Sequence, residues 1–523
     1  MKKITFLRLS YLAVVAMAPV SMSAQPVFQK VYTSASSDEK GEFAGPASGG
    51  GIIICGKTNN TPYDAIVMKT DNSGVIQWSK KLTGSGDDVL NCIRPTSDGG
   101  YIATGFTTSS GAGGSDLLLV KFTGTGTVSW SKTYGTTTDD AGFDVRQTTD
   151  GGYIVTGEAK NSSSVSTGAI YLLKTDGTGV TTWSNMWGTG LGNQGRTVIQ
   201  TSDGGYFLAA NGSNGFFYSI KLTSTGSVSW SRATLPTAMG SGSVQQAIQT
   251  ADGGYALFGN TIANSDNNIN MALVKLNSTG VVQFWKTYGG SGIDFGMGIQ
   301  ELTGGGFLAV GYTASFGTFS DMMILKIGAT GTLTSAKTTS YLGTSYDGMF
   351  LSKTSDNMYA FASMRNNGIY LFKGDASGTT GCTLSTAAST DNAFTAFFDN
   401  NAPITASGTT TTTAATYTAA TLTLTTTTLC SSVVGIEEEM LDRYISVYPN
   451  PAGSSIEIAV DAQLATGAME VRIYDLFGRL VAAKSASADA GLKLDVQEVP
   501  AGMYLLTVVT DEIAYSKRVV IEH

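Results

Sequence analysis

The stretch Ser97–Gly105, which reads S-D-G-G-Y-I-A-T-G, decides the fold of this chain together with D-L-L-L-V-K-F at 116–122 and T-V-S-W-S-K-T-Y-G at 127–135. Versions of the same unit recur seven times between Val27 and Gly374. The residue that follows the turn fixes their register, at Ile52, Tyr101, Tyr153, Tyr206, Tyr255, Phe307 and Tyr359. A period of about 50 residues predicts one supersecondary unit repeated along the chain.

Two further positions recur in this register and are interpreted as parts of the scaffold. Every copy has a lysine, at Lys69, Lys121, Lys174, Lys221, Lys275, Lys326 and Lys373. A tryptophan follows in five copies, and a serine in the sixth, at Trp78, Trp130, Trp183, Trp230, Trp285 and Ser335. A buried aliphatic stem whose ammonium group binds a turn acid or carbonyl would explain the lysines. The tryptophans are expected to pack in the core or between neighbouring units.

The repeat is predicted to close into a ring. The second copy contains four short β-type runs separated by turn signals, near 89–96, 100–107, 116–122 and 127–134. The seventh copy lacks the last run, whereas Phe28–Tyr32 at the start of the chain matches Trp130–Tyr134 in pattern. An N-terminal fragment that completes the last unit indicates circular closure. Four-stranded units in a closed ring predict an all-β fold, a seven-bladed β-propeller.

Composition divides the chain into four predicted segments: a signal peptide at 1–24, the propeller at 25–375, a Thr-rich β appendage and linker at 376–440, and a C-terminal domain at 441–523. The first segment has a basic start, an apolar core and a small-residue end, which is typical of a secretory signal peptide. No later run is long and apolar enough to predict a transmembrane helix. The net charge of −8 and the absence of a basic stripe argue against nucleic acid as a partner.

Four cysteines in an exported chain favour disulfide bonds. Cys382 and Cys430 bracket the Thr-rich segment and are predicted to form one. Cys55 and Cys92 lie in strand-like runs of neighbouring units, where either a second disulfide or two buried free thiols would fit.

The C-terminal segment contains three blocks in a fixed order: V-Y-P-N-P at 447–451, V-R-I-Y-D-L-F-G-R-L-V at 471–481 and L-D-V-Q-E-V-P-A-G-M-Y-L-L-T-V at 494–508. From about Ile445 onward the chain resembles the C-terminal sorting domain (type A) of the type IX secretion system of Bacteroidota. The resemblance implies export across the outer membrane, removal of the domain by the sorting peptidase, and surface attachment or release. Independently, alternating apolar residues such as Val471 and Ile473 predict a small Ig-like β-sandwich. The N-terminal part looks like the repeat propellers of exported Bacteroidota proteins.

One polar position differs between the copies and marks the candidate binding site. It lies just before the first strand of each unit, where the fourth and fifth copies have Asn193 and Gly240. The other copies have acids that form a contiguous arc around the ring, namely Asp38, Asp88, Asp140, Asp294 and Asp347. Such an arc at the channel mouth could hold Ca²⁺ or a cationic group of a ligand. The alternative is that these acids cap turns or pair with the recurring lysines.

The sequence favours a non-enzymatic binding protein on the cell surface or in the medium, with a glycan, a protein or another surface component as its ligand. The only histidine, His523, lies in the segment expected to be removed, so histidine-based catalysis and His-rich metal sites are not expected. No cofactor is expected apart from Ca²⁺. Binding is expected where the loops vary most, at 57–63, 160–168 and 262–270. Two alternatives remain open: a carboxylate-based polysaccharide-active enzyme and a structural surface-layer component.

Overall fold

The computed structural model describes residues 25–34, 39–58, 61–160, 168–188, 193–212, 215–236, 239–263, 268–316, 321–339, 350–365, 367–377, 385–386, 390–394, 397–400, 411–414, 418–421, 425–434, 445–460, 468–475, 480–487, 492–509 and 514–522. These residues form strands and turns and contain no helix. The chain divides into a large unit, Pro26–Ser432, and a C-terminal unit that begins at Val433.

Twenty-eight strands lie between Gln25 and Gly374: β1 (Gln25–Thr33), β2 (Glu39–Pro46), β3 (Ile52–Thr58), β4 (Ala65–Thr70), β5 (Ile76–Thr83), β6 (Asp88–Pro95), β7 (Tyr101–Thr107), β8 (Asp116–Phe122), β9 (Val128–Gly135), β10 (Asp140–Gln147), β11 (Tyr153–Lys160), β12 (Gly168–Thr175), β13 (Thr181–Trp187), β14 (Gln194–Gln200), β15 (Tyr206–Asn211), β16 (Phe217–Leu222), β17 (Val228–Pro236), β18 (Met239–Gln249), β19 (Tyr255–Ala263), β20 (Ile269–Leu276), β21 (Val282–Gly289), β22 (Asp294–Glu301), β23 (Phe307–Thr313), β24 (Asp321–Ile327), β25 (Leu333–Thr339), β26 (Ser352–Lys353), β27 (Tyr359–Arg365) and β28 (Gly368–Gly374).

These strands form seven antiparallel sheets, and each sheet corresponds to one repeat of the sequence. The sheets are numbered 1 to 7 in chain order: β2–β5, β6–β9, β10–β13, β14–β17, β18–β21, β22–β25, and β26–β28 together with β1. In sheet 7, β1 pairs with β28 from Phe28 opposite Lys373 to Tyr32 opposite Ile369. This pairing confirms that the N-terminal fragment completes the last unit. The first strands of successive sheets contact one another around the ring, and β26 contacts β2, so the arrangement is propeller-like.

The sheets pack face to face through their apolar third strands and their recurring aromatic rings. In β8, every residue from Asp116 to Phe122 is buried, as the continuous apolar run predicts. The ring of Trp78 lies 6.1 Å from that of Tyr101 in the next sheet, and Trp130 and Tyr153 repeat this contact at 6.0 Å. The tryptophans therefore join neighbouring sheets, as predicted.

Five of the seven recurring lysines bind turn acids, and Lys69 donates to the carbonyl oxygen of Ser48, which supports their structural interpretation. Lys121 Nζ lies 2.8 Å from Asp98 Oδ2. The same pair recurs in four other sheets, as Lys174 with Asp150, Lys221 with Asp203, Lys275 with Asp252, and Lys373 with Asp356. The hydrogen bond from Lys121 lowers the pKa of Asp98 to about 2.

Six further strands lie between residues 385 and 434: β29 (Ser385–Thr386), β30 (Thr390–Phe394), β31 (Phe397–Asn400), β32 (Thr411–Ala414), β33 (Thr418–Thr421) and β34 (Thr425–Val434). The sequence predicted a small Thr-rich β appendage here, and each of these strands joins a sheet of the ring as its outermost strand. We call these six strands the outer belt. In chain order they pair with β25, β21, β17, β9, β5 and β1, so the outer belt follows the ring in the direction opposite to that of the repeats. Threonine favours extended backbone, and the open edge of a sheet offers N–H and C=O groups for such a strand to pair with.

The C-terminal unit contains the last seven strands: β35 (Ile445–Tyr448), β36 (Ser455–Val460), β37 (Ala468–Tyr474), β38 (Leu480–Ser487), β39 (Leu492–Asp495), β40 (Gly502–Val509) and β41 (Ala514–Ile521). They form two antiparallel sheets, β35-β36-β39 and β38-β37-β40-β41. Val471 and Ile473 on one sheet share a core with Ile456 and Ile458 on the other. Their alternation along the chain therefore marks the inward faces of two sheets, as predicted.

Candidate functional site

The first strand of six sheets contains one extra residue at an equivalent place. In β10, Gly142 pairs with Gly157 and Asp144 pairs with Thr156, so Phe143 is the extra residue. The corresponding residues in the other strands are Glu42, Asn91, Arg196, Gln245 and Met297. A β-bulge of this kind bends the strand and re-aims a side chain. We call these six residues the bulge ring.

A recurring glycine accommodates the bulge from the strand opposite. Gly105 pairs with Leu90, and a Cβ atom on Gly105 would lie 1.9 Å from the carbonyl oxygen of Val89. Four other sheets have glycine at this position, at Gly56, Gly157, Gly259 and Gly311. The glycine that ends the stretch Ser97–Gly105 is therefore the sequence signal for the bulge, and its role can be recognised only once the register of the strands is known.

All six bulge residues line one cavity of about 430 Å³. Its other lining residues are Lys40, Lys57, Val89, Phe106, Gln194, Asn211, Phe295, Tyr312 and Phe350. The lining comes from the starts of the first strands and the ends of the second strands, with Phe350 just before β26. The cavity is thus shared by the whole ring and lies where its first strands begin and its second strands end.

Contacts between neighbouring sheets, and one ion pair within β2, hold the bulge residues in place. Arg196 Nη2 donates to Gln245 Oε1 at 2.6 Å, and the Arg196 guanidinium lies 4.9 Å from the centre of the Phe143 ring. Asn91 Nδ2 donates to the carbonyl oxygen of Gly142 at 2.8 Å. Lys40 Nζ forms an ion pair with Glu42 at 3.1 Å. Side chains that are held by such contacts are pre-organised to receive a ligand.

The chemistry of the cavity combines aromatic faces with amide and charged groups. Phe106, Phe143, Phe295, Tyr312 and Phe350 supply the rings, of which Phe295 and Tyr312 lie 5.1 Å apart. Apolar and aromatic walls with a few polar groups that fix orientation are typical of ligand sites, and this volume lies within their usual range.

The described acids of the predicted arc do not line this cavity. Asp88, Asp140 and Asp294 are each the first residue of a first strand and are fully buried. Asp88 accepts hydrogen bonds from Thr107 Oγ1 at 2.5 Å and Ser109 Oγ at 3.0 Å. This geometry supports the capping alternative. No group of three or more His, Cys, Asp or Glu residues suited to a metal ion occurs in the described part of the chain.

Two acids of the arc, Asp38 and Asp347, lie outside the described residues. In sheet 1 the capping position belongs to the next residue, Glu39, which is buried and pairs with Thr58. Asp88 pairs with Thr107 in the same way. The register of the ladder thus assigns this position to Glu39, one residue beyond Asp38.

Asp140 is capped less completely than its counterparts. Asp294 accepts hydrogen bonds from Thr313 Oγ1 and from Ser315 Oγ, whereas the residue opposite Asp140 is Ala159. Asp140 Oδ2 accepts from the Thr136 N–H at 2.6 Å, and Oδ1 is buried with no hydrogen-bond partner among the described residues. Burial, with the negative charges of nearby acids, raises the pKa of Asp140 to about 7.

Ala159→Thr should supply the missing donor and raise the free energy of unfolding at about pH 8 by about 1 kcal/mol. Because the pKa of Asp140 is raised from 3.8 in the folded state, its contribution to stability is complete below about pH 4 and is lost as the pH rises through about 7. The new hydroxyl stabilises the ionised carboxylate, so the variant should lose less stability than the wild type as the pH rises. Urea unfolding across this pH range measures both effects.

A matched variant controls for this expectation. Thr313→Ala removes the corresponding donor from Asp294 and should make stability fall more steeply with rising pH. An unchanged pH dependence in Ala159→Thr would show that Asp140 already has a partner.

The cysteines that the sequence left open are two free thiols. Cys55 and Cys92 are both buried, and Cys92 Sγ lies 3.3 Å from Asp144 Oδ1. Burial raises the pKa of the Cys92 thiol to about 12. Cys382 and the side chain of Cys430 lie outside the described residues, so their disulfide stays a prediction.

Comparisons with known proteins identify the C-terminal part of the chain. Residues 446–522 match the family described as the secretion system C-terminal sorting domain. Two solved structures that match are extracellular domains from B. thetaiotaomicron, of the proteins BT3049 and BT4673, each described as a hybrid two component system. The first is 11% identical, covers 91% of this chain and 77% of its own, and has a TM-score of 0.17. The second is 9% identical, covers 92% and 74%, and has a TM-score of 0.23.

Similarity at these TM-scores does not define a shared fold, and no curated protein matches the chain. The described residues contain no helix that could cross a membrane. The blocks that resemble the sorting domain lie within the matched range, and their strands form the C-terminal unit. Residues 446–522 are therefore a type IX secretion system C-terminal sorting domain, and the protein is extracellular or located on the cell surface.

Proposed function

We propose that this protein is an exported binding protein, built on a seven-bladed β-propeller, that holds its ligand in the cavity of the bulge ring. The seven sheets would be the blades, with the inner strands around the channel. The C-terminal unit would be an Ig-like sandwich whose partner is the type IX secretion machinery with its sorting peptidase.

The observation that carries this proposal is the contrast between a constant backbone and variable side chains. Six sheets repeat the same bulge, yet its six positions hold six different residue types. A scaffold position would be expected to repeat its residue, as the lysines and tryptophans do. Variation on a rigid frame is typical of a recognition surface.

The lining favours binding over hydrolysis. Glycoside hydrolysis requires two carboxyl groups about 5–10 Å apart on either side of the scissile bond. Among the described lining residues only Glu42 is a carboxylate, and Lys40 pairs with it at 3.1 Å. Aromatic faces beside amide and guanidinium groups suit the apolar faces and the hydroxyl or carbonyl groups of a sugar or a short peptide.

Binding of glycans or peptides should depend on Phe143 and Arg196. A glycan array and a peptide array on the exported protein would first identify a ligand. Phe143→Ala and Arg196→Gln should each weaken its binding about tenfold, which corresponds to about 1.4 kcal/mol. Isothermal titration calorimetry measures the loss.

Arg232→Gln is the matched control, because it removes the same charge from β17, outside the cavity. Equal affinities in wild type and both cavity variants would place binding elsewhere. Release of reducing sugar from a bound polysaccharide would instead support the enzyme alternative.

A further inference from the structure

A second cavity lies at the opposite end of the inner strands. Its volume is about 400 Å³, and its lining includes Arg94, Arg146, Gln300, Glu301 and Lys353. Arg94 pairs with Ile102 and Arg146 with Ile154, so the two arginines hold equivalent positions on neighbouring strands. The repeat thus brings two guanidinium groups together at one side of this channel mouth.

Both arginines interact with the same buried carboxylate, that of Asp144. Arg94 donates from Nε and Nη2 to Asp144 Oδ1, at 3.1 and 2.9 Å. Arg146 Nε lies 3.6 Å from Asp144 Oδ2 and donates to the carbonyl oxygen of Val198 at 2.7 Å. The side chain of Asp144 is only 4% exposed, and that of Arg146 is 29% exposed. This cluster of three groups therefore has an excess of one positive charge at the edge of the cavity.

The described part of the chain offers no hydrogen-bond acceptor to the remaining donors of Arg146. Among the described residues, no hydrogen bond engages its terminal nitrogens Nη1 and Nη2. Burial and the positive charge of Arg94 lower the pKa of Arg146. A planar guanidinium with free donors matches the geometry of a carboxylate, sulfate or phosphate group.

We propose that this second cavity binds the oxyanion group of a ligand through Arg146, with Arg94 as the neighbouring positive charge. At the same mouth the exposed Lys353 adds a positive charge and Glu301 a negative one, so the excess positive charge comes from the arginine cluster. An anion there would balance the charge that Asp144 leaves uncompensated. The site lies at the other end of the ring from the bulge ring and does not depend on the function proposed for that cavity.

Calorimetric titration of the exported protein with sodium sulfate, sodium phosphate and sodium glucuronate tests this site, with glucose as the neutral control and sodium chloride at matched ionic strength. At least one oxyanion should bind, and Arg146→Gln should weaken its binding about tenfold. Arg232→Gln, which changes the net charge equally outside the cavity, should leave it unchanged. Tighter binding of glucuronate than of the inorganic ions would assign the site to a sugar acid, and the reverse order to a sulfate or phosphate group.

Two results would overturn the proposal: no oxyanion binds more tightly than chloride, or Arg146→Gln binds the oxyanion as tightly as the wild type. If Arg146→Gln does not fold, Arg146→Lys replaces it, since it keeps the charge but loses the planar fork. Weaker oxyanion binding in Arg146→Lys would support the site, and unchanged binding would contradict it. The bulge-ring variants Phe143→Ala and Arg196→Gln should bind the oxyanion like the wild type, which separates the two cavities.

Discussion

Asp144→Ala is expected to lower the free energy of unfolding by about 3–5 kcal/mol, because removal of one partner leaves buried charges uncompensated. Asp144 accepts four polar contacts: two N–H groups of Arg94, the Val198 N–H and the Cys92 thiol. Burial alone would raise the pKa of Asp144, but the charges of Arg94 and Arg146 outweigh burial and lower it. The carboxylate is therefore ionised at neutral pH, and its loss would leave two guanidinium groups close together. Urea unfolding at neutral pH measures the change.

Asp98→Ala provides the comparison for this experiment. Asp98 also pairs with a cation, Lys121, but its side chain is 60% exposed, and exposed pairs contribute less than about 1 kcal/mol. If Asp144→Ala and Asp98→Ala lowered the free energy of unfolding by similar amounts, burial of the Asp144 cluster would have little effect on stability.

Sequence repetition was sufficient to predict the ring because each unit contains its own strands and turns. The pairing of Phe28–Tyr32 with Ile369–Lys373 joins the two ends of the repeat region, and the orphan fragment at the N-terminus was enough to predict it. The C-terminal domain could be predicted in the same way, since its blocks occur in a fixed order within 446–522. Local patterns with strict spacing thus specified these parts.

The bulge ring could not be predicted from spacing, because every copy with a bulge has it at the same place. An extra residue that all copies share leaves the period unchanged. Its side chains also differ from one copy to the next, so Phe143 and Arg196 did not stand out as a motif. Only the glycine opposite, such as Gly105, repeats, and its role becomes visible when the ladder register is known.

The sequence could not decide between a binding role and a capping role for the acids, for a related reason. Asp88 and Asp294 begin a strand, and a hydroxyl at the end of the paired strand turns the carboxylate into a cap. The sequence showed which copies have the acid but not which residue lies across the ladder. The pairing of the outer belt could not be predicted, because composition indicates extended backbone but not the strand with which it pairs.

Trp285 shows how a shift of one residue changes the role of a recurring side chain. Trp78 pairs with Lys69 and Trp130 with Lys121, whereas in sheet 5 Phe284 pairs with the lysine and Trp285 lies one residue further along. Successive residues of a strand point to opposite faces, so Trp285 points to the other side of its sheet. It is fully buried there, and its ring lies 5.0 Å from that of Phe217 in sheet 4.

Trp285→Ala should therefore lower the free energy of unfolding by about 3–5 kcal/mol, since it removes a fully buried indole from the contact between sheets 4 and 5. Trp78→Ala, at a half-buried position, should cost about half as much, because less apolar surface is lost from the folded state. Trp285→Phe should recover part of the loss by keeping a ring against Phe217. Urea unfolding of the three variants measures their free energies of unfolding and so ranks the three losses. Equal decreases in the free energy of unfolding for Trp285→Ala and Trp78→Ala would contradict the difference in burial between the two tryptophans.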